Sequence, residues 1–543
     1  MTARVGRGAD FLQLSPASAP ARGLTGWLVA AIRAAIIDGR LPTGASLPAT
    51  RLLADDLGVS RGVVVEAYQR LADEGLVSGR PGTGTRVCGL LPPDATAPPD
   101  ATAPLDATAP PDATAPPGAF AAGGRGPGVF AADSRRPGLP VPDLLPQRWR
   151  ARAELDLSPG VPDLSGFPRA AWLRAERSVL EQASVADLGY GDPRGNEWLR
   201  RELAGWLART RGLRASASDI IVVSGVAQAL ALLAQRLNAR ATSAARAPSA
   251  DRATSARATS ARATSARGMN RIAVEEPGSR GSRYELAYWG LIPVPVPVDE
   301  HGLQSGQLAD ANVDAALLTP AHQFPTGVVL APQRRRDLVD WAVAADALII
   351  EDDYDAEYRY DRAPVPALQA AAPGHVAYVG STSKTLAPGL RLGWLVPPAR
   401  LHAELVDAKH ASDLGSPALP QLVLAHLIAT GELERHIRTV RKRQRRRRDA
   451  LLAALREQLP EALVQGVPAG LHLLITFPGW KTRLDDAELA ERIHRTGVLV
   501  HPLSWHRQRP GPPGLVLGYA AHTPDQLREA ARRIAQAALS LLT

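Results

Sequence analysis

The chain has 543 residues, and its 63 basic and 54 acidic side chains give a net charge of +9, which is a multi-domain length with a mild basic surplus. The apolar content of 45% is ordinary for a globular protein. We find no apolar run long enough to span a membrane and no basic-then-apolar leader, so we expect neither a membrane protein nor Sec-type export. Cys88 is the single cysteine, which excludes a disulfide within the chain and agrees with a cytoplasmic location.

The sequence pattern of residues 14–89 predicts a first folded region with three helices and a wing. Apolar residues recur every four positions from Leu24 to Ile36, which predicts a helix that ends near Gly39. A short second helix after Pro48 ends at Gly58, and Ser60 offers an N-cap for a third. Residues 76–87 then predict a two-stranded wing with a glycine-rich tip.

A helix, a glycine turn and a second helix are typical of a helix-turn-helix, which favours DNA binding. Several polar residues would lie on the exposed start of the third helix and on the wing, where phosphates and base edges are reached: Arg51, Ser60, Arg61, Arg80 and Arg86. The alternative is a three-helix adaptor in which the glycines only turn the chain.

Two low-complexity segments divide the chain. Residues 94–117 repeat Asp-Ala-Thr-Ala-Pro-Pro, and proline and glycine stay frequent to about residue 146, so we expect residues 90–146 to be a disordered linker. Residues 240–267 repeat Arg-Ala-Thr-Ser-Ala and hold more than half of the net positive charge. We expect a disordered surface insertion there; nonspecific attraction to phosphates is the alternative.

The remaining region, residues 147–543, predicts an α/β fold. Strand-like runs begin at Ile220, Ala315, Ala347 and Ala377 and alternate with helical stretches. This alternation favours a mostly parallel sheet with helices on both faces. The C-terminal third predicts a smaller α+β lobe.

Lys384 is one of only four lysines and lies in the segment Gly380-Ser-Thr-Ser-Lys-Thr, seven residues before Arg391. A lysine that forms a Schiff base needs a site where it can be neutral, with groups nearby that hold a phosphate. Ser381, Ser383 and Arg391 supply such groups. The alternative is a surface lysine in a loop.

Carboxylates end the strand-like run Leu348-Ile-Ile-Glu-Asp-Asp, where parallel sheets bind ligands. Asp352 or a neighbour could keep a pyridine nitrogen protonated. A divalent metal is the alternative, but no histidine is spaced to complete its site, and we expect no metal. The amides of Val226 and Ala227, which follow Ser224-Gly225 at a helix start, suit a phosphate, although this signal is weak alone.

These motifs resemble two known families. Leu47-Pro-Ala-Thr-Arg51, Leu57-Gly-Val-Ser-Arg61 and Gly82-Thr-Gly-Thr85 look like the winged helix of GntR-type bacterial regulators. The segments around Asp352, Lys384 and Arg391, with Gly189-Tyr-Gly-Asp-Pro193, resemble the fold-type I pyridoxal-phosphate (PLP) aminotransferases. Together they are similar to the MocR/GabR family of regulators, which joins both parts.

The resemblance implies a role for individual positions. Lys384 would form the Schiff base with PLP, Asp352 would pair with the pyridine nitrogen, and Tyr354 would bond the ring oxygen. The phosphate would be held by Ser381, Ser383, Arg391 and the amides of Val226 and Ala227. Tyr190 would reach the phosphate of the neighbouring subunit, which implies a homodimer. Operator DNA would be contacted by Arg51, Ser60, Arg61, Gly82, Thr83 and Gly84.

Three positions depart from the aminotransferase pattern. Phe324 stands where aminotransferases usually have Asn, and the loop Glu276-Pro-Gly-Ser279 lacks the aromatic residue that often stacks on the ring there. Ala521 stands where relatives that use amino acids place an arginine for the substrate carboxylate. Without this bidentate clamp we expect little transaminase turnover, unless Arg507 or Arg509 substitutes for it.

The sequence therefore favours a PLP-dependent regulator that binds double-stranded operator DNA and senses PLP or a B6 vitamer. The alternatives are a working aminotransferase with an accessory DNA-binding domain and a sensor of an amino acid or GABA-like effector. A basic run from Arg435 to Arg448 is interpreted as a solvated helical face, with an auxiliary DNA-contacting patch as the alternative.

Overall fold

The computed structural model describes residues 23–37, 40–41, 44–73, 76–80, 84–87, 153–246, 270–361, 365–478 and 485–541. The N-terminal unit contains three helices and a three-stranded antiparallel sheet. These elements are α1 (Leu24–Ile37), β1 (Ser46–Leu47), α2 (Thr50–Leu57), α3 (Arg61–Asp73), β2 (Val77–Arg80) and β3 (Gly84–Val87). The sheet order is β1-β3-β2, so β1 adds a strand to the predicted two-stranded wing.

The helices of this unit form where the apolar spacing predicts them. Leu28, Ile32, Val64 and Leu71 are fully buried in one core between α1 and α3. Gly58 ends α2 with φ +62°, a left-handed conformation that glycine adopts at low cost. The helix-turn-helix is therefore a packed unit, as predicted.

The central sheet of the large region has eight strands in the order β5-β12-β11-β10-β9-β6-β7-β8. β12 runs antiparallel to both β11 and β5, and β8 antiparallel to β7; the pairings from β11 through β10, β9 and β6 to β7 are parallel. The strands are β5 (Ile221–Val223), β6 (Arg271–Glu276), β7 (Ile292–Asp299), β8 (Gly302–Leu303), β9 (Ala315–Leu318), β10 (Leu348–Asp353), β11 (Val376–Ser381) and β12 (Gly393–Val396). The mostly parallel sheet is confirmed.

Helices cover both faces of this sheet because side chains alternate along buried strands. Ile221, Val379 and Leu395 pack against one set of helices, whereas Val222, Tyr378 and Trp394 pack against another. The helices of the large region up to the C-terminal lobe are α4 (Arg169–Gln182), α5 (Glu197–Arg211), α6 (Val226–Arg246), α7 (Arg280–Tyr288), α8 (Leu308–Ala311), α9 (Pro332–Ala345), α10 (Ala399–Asp413) and α11 (Ala418–Ala429).

The C-terminal lobe is a separate α+β layer. A four-stranded antiparallel sheet in the order β13-β14-β17-β16 packs beneath three helices, and β15 pairs with β4. These elements are β4 (Leu155–Asp156), α12 (Glu432–Gln458), β13 (Leu463–Gln465), β14 (His472–Thr476), α13 (Asp486–Arg495), β15 (Val498–Leu499), β16 (His501–Pro502), β17 (Gly514–Gly518) and α14 (Pro524–Leu539). The predicted smaller lobe is therefore present.

The first residues of the arginine-rich segment are helical, so the disorder expected for them is wrong. Helix α6 continues through Arg246, so residues 240–246 are helical, because alanine and arginine are good helix formers. Residues 247–269 and the linker expected at 90–146 lie outside the described residues. None of the described helices is both long enough and apolar enough to cross a membrane.

Candidate functional site

The carboxyl ends of β10 and β11 lie side by side, since Asp352 is in register with Val379 two residues before Ser381. Parallel strands bring their carboxyl ends to one edge, where α/β sheets bind ligands. A cavity of about 430 Å³ opens there. It is lined by Pro159, Gly160, Val226, Ala227, Ser279, Thr319, Phe324, Asp352, Tyr354, Ser381, Ser383, Lys384 and Arg391, among others. Of the predicted cofactor residues, Tyr190 alone is not among its lining residues.

Lys384 projects into this cavity from the turn after β11. Its Nζ donates to the carbonyl oxygen of Gly160, and its own carbonyl accepts from the Tyr358 hydroxyl at 2.7 Å. Burial lowers the pKa of Lys384, and the carboxylates of Asp355 and Asp352 oppose that shift. A lowered pKa enlarges the neutral, nucleophilic fraction of an amine.

Asp352 is the next-to-last residue of β10, and its carboxyl oxygen Oδ1 is buried. Its Oδ1 has no hydrogen-bond partner among the described residues. Burial raises the pKa of Asp352 to about 7, Asp353 adds to the shift, and Lys384 opposes it. A buried acid without a partner is costly, so a ligand nitrogen that bonds to it would be stabilising.

Tyr354 is held by a polar network behind the cavity. Its hydroxyl donates to the carbonyl oxygen of His322 at 3.1 Å, and His322 Nδ1 lies 2.9 Å from Asp355 Oδ2. Burial raises the pKa of Tyr354 well above its usual value, so the phenol keeps its proton and can donate. The Phe324 ring meets the Tyr354 ring edge-on, with centroids 6.4 Å apart.

The other end of the cavity suits an anion. Val226 and Ala227 are the first residues of α6, and N-H groups in a first turn have no partner within the helix. Arg391 donates to the carbonyl oxygen of Ser224. A Cβ on Gly225, at φ +89°, would lie 3.2 Å from the Arg391 guanidinium, so glycine lets the arginine lie close to this loop. Ser381 and Ser383 line the cavity beside it.

A partly buried chain of polar side chains that sequence reasoning missed supports this anion loop. Gln228 accepts from the Ser224 amide at 2.8 Å and donates to Asp413 at 2.7 Å. Asp413 also pairs at 2.9 Å with Lys409, whose side chain is fully buried. The scarcity of lysines was the available signal for Lys409, but its partner Asp413 is identifiable only in the fold.

The three departures from the aminotransferase pattern differ in where they lie. Phe324 and Ser279 line the cavity, so no aromatic residue at position 279 covers a ring bound there. Ala521 is exposed and is not among the residues that line the cavity. The expected loss of a carboxylate clamp at position 521 therefore stays a prediction.

The two proposed substitutes for that clamp are held elsewhere. Arg507 donates to the Pro512 carbonyl at 2.7 Å, and the Arg509 amide donates to Glu276 at 3.1 Å. Neither residue lines this cavity, because the loop that bears them folds onto itself and onto β6.

The predicted DNA contacts fall on the N-terminal unit. Arg51 lies in the first turn of α2, and Ser60 and Arg61 lie at the start of α3; all three are exposed. Gly84 is the first residue of β3, whereas Gly82 and Thr83 lie outside the described residues. The exposed start of the second helix is the part of a helix-turn-helix that meets base edges.

The lining groups together fit PLP. Lys384 offers an amine, and Asp352 offers a carboxyl whose buried Oδ1 bonds to none of the residues that the structure describes. Tyr354 offers a phenol, and the start of α6 with Arg391 offers an anion cradle. When bound, PLP supplies a carbonyl group that condenses with primary amines and a ring that withdraws electrons. The chain itself supplies orientation, burial and the acid and base groups.

Comparison with known families divides the chain in the same way. Residues 25–87 match the bacterial regulatory proteins of the gntR family, and residues 255–534 match the aminotransferases of class I and II. The solved structure of Pyrococcus horikoshii kynurenine aminotransferase, in complex with PMP, is similar with a TM-score of 0.63 and 25% identity, over 73% of this chain and 93% of that one.

Two curated relatives resemble the chain over nearly its whole length. A pyridoxine biosynthesis transcriptional regulator, PdxR of Corynebacterium glutamicum, is 31% identical and covers 92% of each chain. A probable rhizopine catabolism regulatory protein, MocR of Rhizobium meliloti, is 30% identical over 94% of this chain and 92% of its own. The chain therefore belongs to the MocR-type regulators of the GntR family, in which a GntR winged helix is joined to an aminotransferase class I and II domain.

Proposed function

We propose that this chain is a transcription regulator that binds operator DNA through residues 14–89 and holds PLP at Lys384 in its aminotransferase-like region, residues 147–543. The effector is PLP itself or a B6 vitamer, and the controlled genes serve vitamin B6 or amino-compound metabolism. The protein acts as a homodimer in the cytoplasm, where Tyr190 of each subunit completes the phosphate site of the other. Residues 90–146 connect the two parts.

The observation that carries this proposal is that Asp352, whose Oδ1 has no hydrogen-bond partner in the described part of the chain, lines the same cavity as Lys384, in a chain that also has a winged helix. A cofactor that joins these two groups would satisfy both. Its presence would then be a chemical signal available to the DNA-binding unit. The relative named for pyridoxine biosynthesis supports a B6 compound as that signal.

A second candidate is an amino compound as effector or substrate. A cavity of about 280 Å³ adjoins the first and shares Pro159, Gly160 and Phe324 with it. It is also lined by Arg280 and Trp505. The Arg280 guanidinium has no hydrogen bond or ion pair to another described residue, so it is available to a carboxylate.

The two candidates give different results with purified protein loaded with PLP. The operator is recovered first by selection from random duplex DNA. If PLP is the effector, PLP alone changes the affinity for this duplex, and incubation with amino acids and 2-oxoglutarate gives no more than one product per subunit. Repeated turnover, or an affinity change that needs an amino acid and is lost in Arg280→Ala, would establish the second candidate instead.

A further inference from the structure

Helix α12 contacts the recognition helix of the DNA-binding unit. Arg435, in the first turn of α12, pairs with Glu66 of α3 at 3.2 Å. Arg70, one turn further along α3, bonds Glu66 at 2.9 Å and donates to the Thr430 carbonyl at 3.2 Å, just before α12. The start of α12 therefore forms a docking surface for one side of α3.

The next residue of α12 contacts the cofactor lysine's turn. His436 is half-buried, and its Nε2 donates to the carbonyl oxygen of Thr385 at 2.8 Å. Thr385 directly follows Lys384, and Tyr358 fixes the Lys384 carbonyl at 2.7 Å. Adjacent residues on one helix thus bond to the DNA-binding unit and to the turn that carries the reactive amine.

A third contact ties the middle of α12 to the opposite wall of the cavity. Arg443 and Arg447 pair with Asp163 at 2.7 and 2.9 Å. Asp163 lies three residues after Gly160, whose carbonyl accepts from Lys384 Nζ. The basic run is therefore not a uniformly solvated face, because three of its arginines are engaged in ion pairs with other elements.

We propose that α12 couples the state of Lys384 to the position of the recognition helix, with His436 as the contact on the cofactor side and Arg435 as the contact on the DNA side. Val65 and Gln69 are exposed and lie four and eight residues after the predicted DNA contact Arg61, which places them on the same side of α3. Glu66 and Arg70 each follow one of these residues, so the docked side of α3 lies next to its predicted DNA face. Docking on α12 thus restricts how α3 can enter a major groove. A change at Lys384 moves Thr385, shifts His436 and releases or restores the Arg435 contact. This coupling rests on the proposed function.

Coupling between two sites is measured as a ratio of affinities. The readout is therefore the operator affinity with saturating PLP divided by that without PLP, in the full-length protein. The wild-type ratio is the reference for the variants, and we expect it to differ from one by about tenfold. An exposed ion pair is weak, so a charge reversal that places like charges together is the useful change.

We expect Arg435→Glu to bring the ratio to within about twofold of one, with unchanged PLP affinity, because the introduced carboxylate would repel Glu66. His436→Leu, which keeps bulk but removes the donor, is expected to do the same. A double variant with Glu66→Arg and Arg435→Glu restores the ion pair with its charges exchanged. We expect it to restore the ratio, even if the operator affinity without PLP changes.

Arg445→Glu is the matched control, since Arg445 is an exposed arginine of α12 whose ion pair joins it to Asp449 of the same helix. It is expected to leave the ratio unchanged. A wild-type ratio retained in Arg435→Glu and His436→Leu would overturn the coupling. The coupling would also be overturned if Arg435→Glu and Arg445→Glu weakened operator binding equally, both with and without PLP. That result would mean that α12 contacts DNA directly. If the wild-type ratio is itself one, PLP does not change operator affinity, and the proposed function is wrong before the coupling is tested.

Discussion

At the scale of single residues, the site is dominated by two groups whose protonation the fold has shifted. Burial lowers the pKa of Lys384 and raises that of Asp352 to about 7. Both shifts favour the neutral forms of the two groups, and Asp352 Oδ1 has no partner among the described residues. A ligand that bonds to both groups supplies the interactions that the chain does not make by itself.

Lys384→Ala tests the assignment of the amine. Without the ε-amino group no covalent bond to PLP forms, so we expect complete loss of the visible absorption band. After borohydride reduction and digestion, mass spectrometry should find the pyridoxyl mass on the Lys384 peptide of wild type only. A variant that keeps the band, or a wild-type adduct at Lys409 instead, would show that the assignment is wrong.

Asp352→Asn tests the raised pKa in protein free of PLP. The folded state keeps a proton on Asp352 up to about pH 7, whereas the unfolded state loses it near its ordinary value of 3.8. The free energy of unfolding of wild type therefore decreases as the pH rises from 3.8 to about 7. Asparagine carries no such proton, so the variant does not show this decrease. At pH 8 we expect the variant to be more stable by roughly 1–4 kcal/mol, with little difference at pH 4.

Chemical denaturation across this pH range measures the effect. Asp310→Asn, at an exposed position of α8, is the control and should follow wild type throughout. If Asp352→Asn also follows wild type at every pH, burial does not hold a proton on Asp352. The same substitution should weaken PLP binding, because an amide supports the ring nitrogen less well than a carboxylate.

At the scale of elements, function depends on where helices begin. Helix α6 presents its first N-H groups to the cavity, and α3 presents Ser60 and Arg61 to solvent. Sequence reasoning located both starts, because a glycine or serine precedes each helix. It could not locate the contacts between α12 and α3, since Arg435 and Glu66 are separated by 369 residues and only the fold brings them together.

Arg61→Ala tests the placement of the recognition helix. If Arg61 reads a guanine, its loss costs about 1–3 kcal/mol of operator affinity and relaxes the preference at one base pair. PLP occupancy, followed by absorbance, should not change. Arg495→Ala, an exposed arginine of the C-terminal lobe, serves as the control. Unchanged operator affinity at matched salt would mean that Arg61 does not contact the operator.

The residues that sequence reasoning could place share one property, which is that local sequence determines them. Lys384, Asp352 and Arg391 each follow a strand or a turn that the sequence predicts. Position 521 is different, because a role in binding the substrate carboxylate requires that the fold bring this residue to the cavity. In the structure Ala521 is exposed. The Gln228 chain was also missed, since its link to Asp413 spans 185 residues.

At the scale of the whole molecule, the proposed homodimer would complete the cofactor site with a residue from a second copy of the chain. Tyr190 is 86% exposed and is not among the residues that line the cavity of its own subunit. An aromatic side chain this exposed suits an interface between subunits. The proposed homodimer gives Tyr190 a role that the single chain does not.

Mixed dimers test this arrangement. We expect Tyr190→Ala and Lys384→Ala each to weaken or abolish PLP binding in their homodimers. In a dimer that combines one subunit of each, the site with Lys384 receives the intact Tyr190 of the other subunit. We therefore expect wild-type PLP affinity at half the sites, measured by absorbance titration of differently tagged, co-purified dimers. Affinity no better than that of the Tyr190→Ala homodimer would place Tyr190 outside the neighbouring site.

The central claim is that PLP on Lys384 controls DNA binding. The direct measurement is the affinity of PLP-free protein for its selected operator, by fluorescence anisotropy, as PLP is added to wild type and to Lys384→Ala. We predict that the wild-type affinity changes about tenfold as the absorption band of bound PLP appears, and that the variant shows no change. An affinity that is the same with and without PLP in wild type, or that changes equally in Lys384→Ala, would contradict the claim.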